Sequence, residues 1–582
     1  MAEKQLLKRE TYCGAVREED AGRNITVYGW VNHMRELGGL TFIDLRDREG
    51  LLQIMVNETF TAPEILRQIG KETVLAVGGR VVMRSKANPD LASGKVELVA
   101  ERIEILATAE VPPFVPENRD NVSEELRFKY RYLDLRNPVM QRNFKLRSKV
   151  NLLTRNFLDR EGFLDIETPI LANATPEGAR DYLVPSRIYK GKMFALPQSP
   201  QQFKQLLMMS GFERYFQITR CFRDEDPRAD RQPEFTQIDI EMSFTEQDEL
   251  FAIIERMLRE IFALRGHDVA LPFPHLTYRE AMEKYGSDKP DLRIPYQIQD
   301  FTSEAGAWNS DLLNAAVAKG ARVKGLTVPD AASFSRKQLD EINEMGKKLG
   351  GKGVIWMKKV DGGFKSSLKI SAETIASFYE GRRIDPGDLV LLVADSETQS
   401  LVLAGKLREF LGKKFQDKNR LEFLWVTDFP LFFYNEEEKR LDSNHHPFTA
   451  PRPEEIPLLD SEPLKVKAIA YDIVLNGVEL GGGSKRIHDI ALQRKVFQML
   501  NLAEKEIESR FGFFLNALKF GAPPHMGIAL GFDRLLMLLT GEDSIREIIA
   551  FPKTTSSLCL LTGAPSAVSQ RQLDELGIQV KE

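Results

Sequence analysis

The chain has 582 residues, of which 42% are hydrophobic and 28% charged, with a formal net charge of −5. Compact domains usually run to roughly 100–200 residues, so three or more are expected, with ample apolar material for several cores. The charge balance excludes a bulk electrostatic nucleic-acid binder. Residues 1–107 hold 15 Lys/Arg against 16 Asp/Glu, so any RNA would be held through local patches and shape. Cys13, Cys221 and Cys559 lie far apart, are odd in number and lack CxxC or Cys/His metal spacing, which argues against a disulfide framework. The opening MAEKQLLKRE lacks the apolar core of a signal peptide, and no run approaches the ~18–20 apolar residues of a membrane span. A cytoplasmic location and no membrane partner are expected.

From Asn24 to Leu106 the sequence reads as five short β runs: ITVYGWV, LTFIDLRD, LLQIMV, TVLAVGGRVVM and KVELVAERIEIL. Glycine pairs and an NPD turn punctuate them. Five strands in some 80 residues suit a small closed barrel of the OB type, with a sandwich fragment as the alternative. Residues 107–125 are Pro-rich, polar and unpatterned, which predicts a linker. Helical spacing follows through KVNLLTRNFLDREGF. Thr245 with Asp248 has the form of a capping box for a helix burying Leu250, Ile254, Met257, Leu258 and Ile261, with Gly266 at its end. Between about Phe301 and Leu424 the text turns helical or mixed around one buried strand, DLVLLVAD, without a cluster of convergent polar residues. It reads as a domain inserted into the one that surrounds it.

The densest chemical signal is CFRDEDPRADRQPEFTQIDIE, residues 221–241. Arginines alternate there with acidic residues between two strand-like runs, which predicts a hairpin with a long charged loop. Guanidinium groups suit phosphate because they present a planar fork of donors that stays charged; a solvated, salt-bridged hairpin is the structural alternative. In GIALGFDRLLMLLTG, residues 527–541, glycines let backbone approach a ligand and Arg534 opens an apolar helix. That arginine needs an anion, and Glu542 or Glu547 could supply one. LPQSPQQFKQLLM places Ser199, Gln201 and Lys204 close together just before an amphipathic helix, although a lone lysine is usually a surface one. ELGGGSKRIHD sets Glu479 and Arg486 around a triple glycine, read as a loop where backbone can crowd a small ligand.

These segments carry a resemblance. FRxE at Phe222–Glu225 and RxxxF at Arg231–Phe235 resemble motif 2 of the class II aminoacyl-tRNA synthetases, and the run through QPEFTQID looks like their aspartate-specific branch. GFLDIETPIL, residues 162–171, resembles motif 1, which builds a homodimer interface, and residues 527–541 resemble motif 3. The resemblance covers essentially the whole chain. It implies ATP binding by Arg223, Asp224, Glu225, Gln232, Phe235, Glu479, Gly531, Phe532, Asp533 and Arg534, with Arg223, Glu225 and Arg534 as the catalytic set. It implies L-aspartate binding by Glu177, Ser199, Gln201, Lys204, Arg223, Asp239, His445, His446 and Arg486, with Lys204 and Arg486 clamping the side-chain carboxylate. Asp472 and Glu479 match positions that hold Mg²⁺ on the ATP phosphates, a fit to two carboxylates and a hydrated ion. Zinc at His445 and His446 is the weaker idea, since no third ligand sits nearby. WVNHMRELGGLTFIDLRDREGLLQIMV resembles the family's anticodon-binding module, with Arg35, Phe42 and Gln53 as contacts. Stacking on Phe42 is plausible chemistry for a single-stranded loop, and a core role for Phe42 is equally open. Leu37, in RELGG, stands where members charging both tRNA-Asp and tRNA-Asn carry histidine, which implies tRNA-Asp alone. Met526, Lys485 and Asn444 depart from the family pattern.

The expected fold is therefore α+β: an OB-fold β-barrel at 1–107, a hinge at 108–140, and a class II antiparallel-sheet catalytic domain at 141–300 and 425–562. An inserted α/β domain of the GAD type is expected at 301–424 and a C-terminal extension at 563–582. The rivals are a sister enzyme charging asparagine or lysine and a catalytically inactive RNA-binding paralogue. Lys204 with Arg486 speaks against lysine, and the Arg223, Glu225, Glu479, Arg534 set against an inactive binder.

Overall fold

The computed structural model describes residues 7–174, 178–308 and 310–581. The chain divides into two compact units, Met1–Ser148 with Arg546–Ala567 and Lys149–Ile545 with Val568–Glu582.

In the first unit the five β runs form a closed barrel: Asn24–Leu37, Leu40–Asp47, Gly50–Val56, Val74–Met83 and Val96–Ala107. Antiparallel pairing of the first and fourth strands and a short parallel pairing of Ile54 with Leu98 close it. Alternate residues such as Val27, Val31, Ile43, Leu45, Leu52, Ile54, Val77 and Leu98 point inward and are buried, the period-2 outcome of a strand with one buried face. Closure removes the exposed sheet edges that a sandwich fragment would leave.

The stretch expected to be an unpatterned linker is more ordered than its composition suggests. Pro116–Asn121 forms a 3-10 helix, and Arg46 joins it to the barrel by ion pairs to Glu117 at 2.5 Å and Glu72 at 2.7 Å. Arg119 continues this lattice to Asp134 and Glu547. A run that looks polar and aperiodic is thus held by charge pairs that only the fold brings together.

The second unit is built on an eight-stranded sheet. Its order is His275–Thr277, Phe423–Thr427, Ala470–Leu475, Val478–Lys485, His525–Gly531, Glu234–Ser243, Arg214–Phe222 and Leu164–Asp165. All pairings are antiparallel except the two outermost. A separate five-stranded sheet forms from strands between Gln299 and Asp395, with apolar clusters on both faces. The helix Gln247–Ala263 buries the five predicted apolar residues. Its start differs from expectation: the N-cap is Glu246, and Thr245 donates to Glu249 at 2.7 Å instead of capping. Gly266 adopts φ 77° just beyond the helix end.

Candidate active site

Residues 214–243 form the predicted hairpin, with Phe222 paired to Glu234 and the charged loop between them. The loop tip is fixed by mutual hydrogen bonds of Arg228 and Arg231 and by the Ala229 carbonyl, which accepts from Ile545 N–H at 2.9 Å. The strand Glu234–Ser243 then pairs with His525–Gly531, which turns at Gly531 into the helix Phe532–Thr540. Asp533 braces this junction by accepting from Thr236 N–H at 2.7 Å. The two segments quoted for motifs 2 and 3 are therefore neighbours in one sheet.

A cavity of about 480 Å³ opens over these strands. Among the expected site residues it is lined by Ser199, Gln201, Lys204, Arg223, Glu225, Gln232, Phe235, His445, His446, Asp472, Glu479, Arg486, Gly531, Asp533 and Arg534. Of those expected at the ATP, aspartate and metal sites, three described residues do not line it, and Glu177 lies outside the described residues. Phe532 is fully buried, so its side chain packs in the core rather than against a ligand. Asp224 is drawn towards Arg180, whose carbonyl accepts its N–H at 3.0 Å. Asp239 sits beneath the cavity, buried and held by Lys204.

Four buried polar atoms on the cavity residues make no hydrogen bond to the described residues: Gln201 Nε2, Arg223 Nε, Arg534 Nε and His445 Nδ1. Buried polar groups are almost always paired, so such a concentration at one place marks where a polar ligand belongs. Arg223 lies with its guanidinium carbon 5.2 Å from the centre of the Phe235 ring. Arg534 donates to the Glu479 carbonyl at 2.5 Å and to Asp230 at 3.2 Å, so neither Glu542 nor Glu547 is its partner. Glu225 pairs with Arg231 at 3.0 Å.

The floor of the cavity holds a charge cluster of which the sequence pattern shows only a part. Arg486 turns its fork onto Glu241, with Nε and Nη2 donating at 2.8 and 3.0 Å. Nη1 donates to Ser484 Oγ at 2.6 Å and lies 2.7 Å from His446 Nε2. Lys204 sits 2.6 Å from Asp239 and 3.4 Å from Glu241. The Arg486 fork, which the resemblance sets on the substrate carboxylate, is engaged by Glu241 in this structure, while Arg486 also lines the cavity. Burial would raise Glu241, but Arg486 and Lys204 outweigh it and hold its carboxyl at about 2. Asp239 moves the other way, because burial exceeds what Lys204 returns. Among the described residues its Oδ2 has no partner within hydrogen-bond geometry, a place that an ammonium donor would fill. Since Arg486 can only donate, His446 Nε2 accepts, and burial with the neighbouring Arg486 keeps this histidine well below its ordinary range and neutral.

The triple glycine is also corrected. Gly481, Gly482 and Gly483 lie within the strand Val478–Lys485 and not in a loop. Glycine is required there for close approach. A Cβ at Gly482 would stand 2.3 Å from Asp472 Oδ1, and one at Gly483 2.0 Å from the Gly527 carbonyl. Gln201 and Lys204 likewise belong to the helix Gln201–Met209 rather than preceding it.

Asp472 and Glu479 line one side of the cavity, and Asp288 joins them there. Burial and the neighbouring Glu479 raise the Asp472 carboxyl to about 6, against the pull of His445 at 3.4 Å. Clustered, half-buried carboxylates of this kind fit a divalent cation. Among the described residues no group of three or more His, Cys, Asp or Glu could hold a metal by itself, so an ion here would need phosphate oxygens or water to complete its shell.

In the barrel the three residues expected at an anticodon come together. Arg35 lies over the Phe42 ring at 5.7 Å and donates to Asp44 at 2.9 Å and Gln53 at 2.7 Å. Phe42 is half-buried on the strand's outer side. Leu37 ends the first strand beside Gly38 and Gly39 (φ 60° and 82°) and is 71% exposed. Glu241, Asp288, Ser484 and Asp230 were not singled out from sequence. For Glu241 a signal existed: two residues after Asp239 on a strand, it must share that residue's face.

Comparison with known proteins agrees with this geometry. The profile described as tRNA synthetases class II (D, K and N) matches residues 123–555, and that of an OB-fold nucleic acid binding domain matches residues 25–106. The chain is 51% identical, over 99% of its length and 98% of the relative's, to an aspartate–tRNA(Asp/Asn) ligase of Caldanaerobacter subterraneus subsp. tengcongensis. It is 46% identical, over 99% and 98%, to an aspartate–tRNA ligase of Clostridium acetobutylicum. Among solved structures, an asparaginyl-tRNA synthetase from Pyrococcus horikoshii superposes with a TM-score of 0.60 at 19% identity, covering 94% of this chain and 99% of that one. An aspartyl-tRNA synthetase from Entamoeba histolytica gives 0.57 at 20% identity, covering 94% and 92%. The fold is thus an OB barrel joined to a class II synthetase catalytic domain. The chain belongs to the class II aminoacyl-tRNA synthetases, in the family that serves aspartate, lysine and asparagine.

Proposed function

We propose that the chain is an aspartate–tRNA ligase working in two steps. The α-carboxylate of L-aspartate attacks the α-phosphorus of ATP, giving aspartyl-adenylate and releasing pyrophosphate. The terminal ribose hydroxyl of tRNA then attacks the acyl carbon, and AMP leaves. The observation that carries this reading is the cavity itself. Lys204 and Arg486 meet at Glu241 on its floor, and Arg223 and Arg534 also line the cavity, each with a buried Nε that finds no partner among the described residues. Arg223 and Arg534 would stabilise phosphate charge, with Glu225, Gln232 and Phe235 holding the adenylate. Asp239 would receive the substrate ammonium and Lys204 with Arg486 the side-chain carboxylate, with His445 and His446 closing over it. Asp472 and Glu479 would hold Mg²⁺, which neutralises the triphosphate when bound. The test is pyrophosphate exchange with aspartate, asparagine and lysine in turn. Exchange with aspartate alone is expected, and equal exchange with either rival amino acid would refute the assignment.

A homodimer is part of this proposal. The motif 1 segment and the hairpin after it expose Leu164, Ile170, Leu171, Leu183, Ile188 and Tyr189, an apolar set that a second copy would cover. Sedimentation should give a dimer that Ile188→Asp weakens. Action in the cytoplasm is likewise proposed, where ATP and tRNA are found; no helix among the described residues is long and apolar enough to cross a membrane.

We further propose that Arg35, Phe42 and Gln53 read the anticodon and that Leu37 restricts charging to tRNA-Asp. The exposure of Leu37 supports this over a packing role, because a leucine at a hairpin tip offers a mismatched base no hydrogen bond. A second reading has its own support: several relatives at 48–51% identity are named for both tRNA-Asp and tRNA-Asn. Aspartylation of the two transcripts separates them. Charging of tRNA-Asp alone is expected, with Leu37→His raising tRNA-Asn charging by roughly 10–100-fold, the scale of a ~1–3 kcal/mol contact. Comparable charging of both by the unaltered protein would favour the second reading.

A further inference from the structure

The five-stranded sheet ends in a hairpin of Ile355–Val360 and Gly363–Ser366, the latter its edge strand. From Lys347 to Lys369 the sequence holds seven lysines against the single Asp361, in a chain whose net charge is −5. Lys347 and Lys348 close the helix Arg336–Lys348, and Lys352 lies in the turn that follows. Lys358 and Lys365 are direct cross-strand partners. Lys347 pairs with Glu344 at 2.8 Å, and Lys358 donates to the Phe334 carbonyl at 2.5 Å. Lys348, Lys352, Lys359, Lys365 and Lys369 are exposed, and their side chains make no hydrogen bond or ion pair to other described residues. Elsewhere on the same sheet a lysine is neutralised: Lys324 meets both Asp300 and Glu397.

Like charges placed directly opposite each other weaken a hairpin, so this lysine set works against local stability. Lysine on an edge strand can serve to prevent strand addition, but only Lys365 lies on the edge; the other six do not. A polyanion would turn the repulsion into attraction. We infer that this lysine hairpin, with the end of the preceding helix, binds the phosphate backbone of RNA. The inference rests on the reading that the chain acts on tRNA, and it adds a contact surface outside the barrel and the catalytic cavity. Lysines on flexible stems act as point charges on phosphates and need no base sequence.

The test is a full-length variant carrying Lys352→Ala, Lys359→Ala, Lys365→Ala and Lys369→Ala, all at exposed positions. Binding of a tRNA-Asp transcript is measured across a potassium chloride series. Every phosphate that the variant no longer neutralises reduces the slope of log K against log salt by about 0.9 on a duplex. The slope should therefore be shallower by roughly 2–4, with tRNA bound about tenfold more weakly near 0.1 M salt. Aspartate-dependent pyrophosphate exchange needs no tRNA and should be unchanged. An unchanged slope and affinity, with exchange intact, overturns the inference. So does a variant that loses binding to phosphatidylglycerol vesicles while tRNA binding stays the same, which would assign the surface to a membrane. Absence of exchange in the unaltered protein counts against the proposed activity, and the salt slope still decides the RNA surface.

Discussion

Arg223→Ala is expected to lower aspartate-dependent pyrophosphate exchange by roughly 10²–10³, the loss of about 3–4 kcal/mol typical for a preorganised group that stabilises developing charge. The structure explains why the effect should fall on chemistry rather than folding. Among the described residues Arg223 has no carboxylate partner: its guanidinium lies by the Phe235 ring and its Nε finds no acceptor. Removing it breaks no ion pair among the described residues, so thermal stability should persist. An arginine kept unpaired at a cavity wall has its anion elsewhere, and on the proposed reaction that anion is the α-phosphate with the reacting carboxylate. Arg223→Lys keeps the charge but loses the planar fork, so it should recover only part of the rate. Near-normal exchange by a folded Arg223→Ala enzyme would remove this residue from the mechanism.

The barrel and the motif 2 hairpin were legible because a strand with one buried face writes period-2 alternation into the sequence. That Arg223, Phe235 and Arg534 would line one cavity was legible because their motifs combine residue type with spacing. What escaped depends on contacts between segments far apart in sequence. Nothing around Pro116 announces that Glu117 will meet Arg46. The glycines at 481–483 read as a loop because the local text cannot reveal that Asp472 and Gly527 press on both sides of a strand. Thr245 failed as a cap because its hydroxyl bonds Glu249. The largest omission was Glu241, whose partner Arg486 lies 245 residues away. It changes the picture of Arg486 from a free fork to one already half-neutralised inside the protein.

That change separates two effects that a single substitution would mix. Arg486→Leu is expected to raise the aspartate requirement by roughly 10–100-fold, the worth of about 1.5–3 kcal/mol for a hydrogen bond to a charged group. ATP affinity should change little. The same substitution strands Glu241 in the core with Lys204 as its remaining ion-pair partner among the described residues, and breaking a buried pair by removing one partner typically costs about 3–5 kcal/mol of stability. Replacing both residues, Glu241→Leu with Arg486→Leu, removes the stranded charge, so stability should largely return while aspartate binding stays lost. The pH dependence gives an independent check. Glu241 titrates at about 2 in the fold against an ordinary 4.5, so the pair's contribution is fully present above about 4.5 and is lost as pH falls towards 2. The unaltered protein should therefore lose melting temperature across that acid window, and the double variant should lose less. If the double variant recovers aspartate binding along with stability, Arg486 acts only through the fold. If ATP binding falls as far as aspartate binding in either variant, the residue shapes the whole cavity rather than selecting the substrate carboxylate.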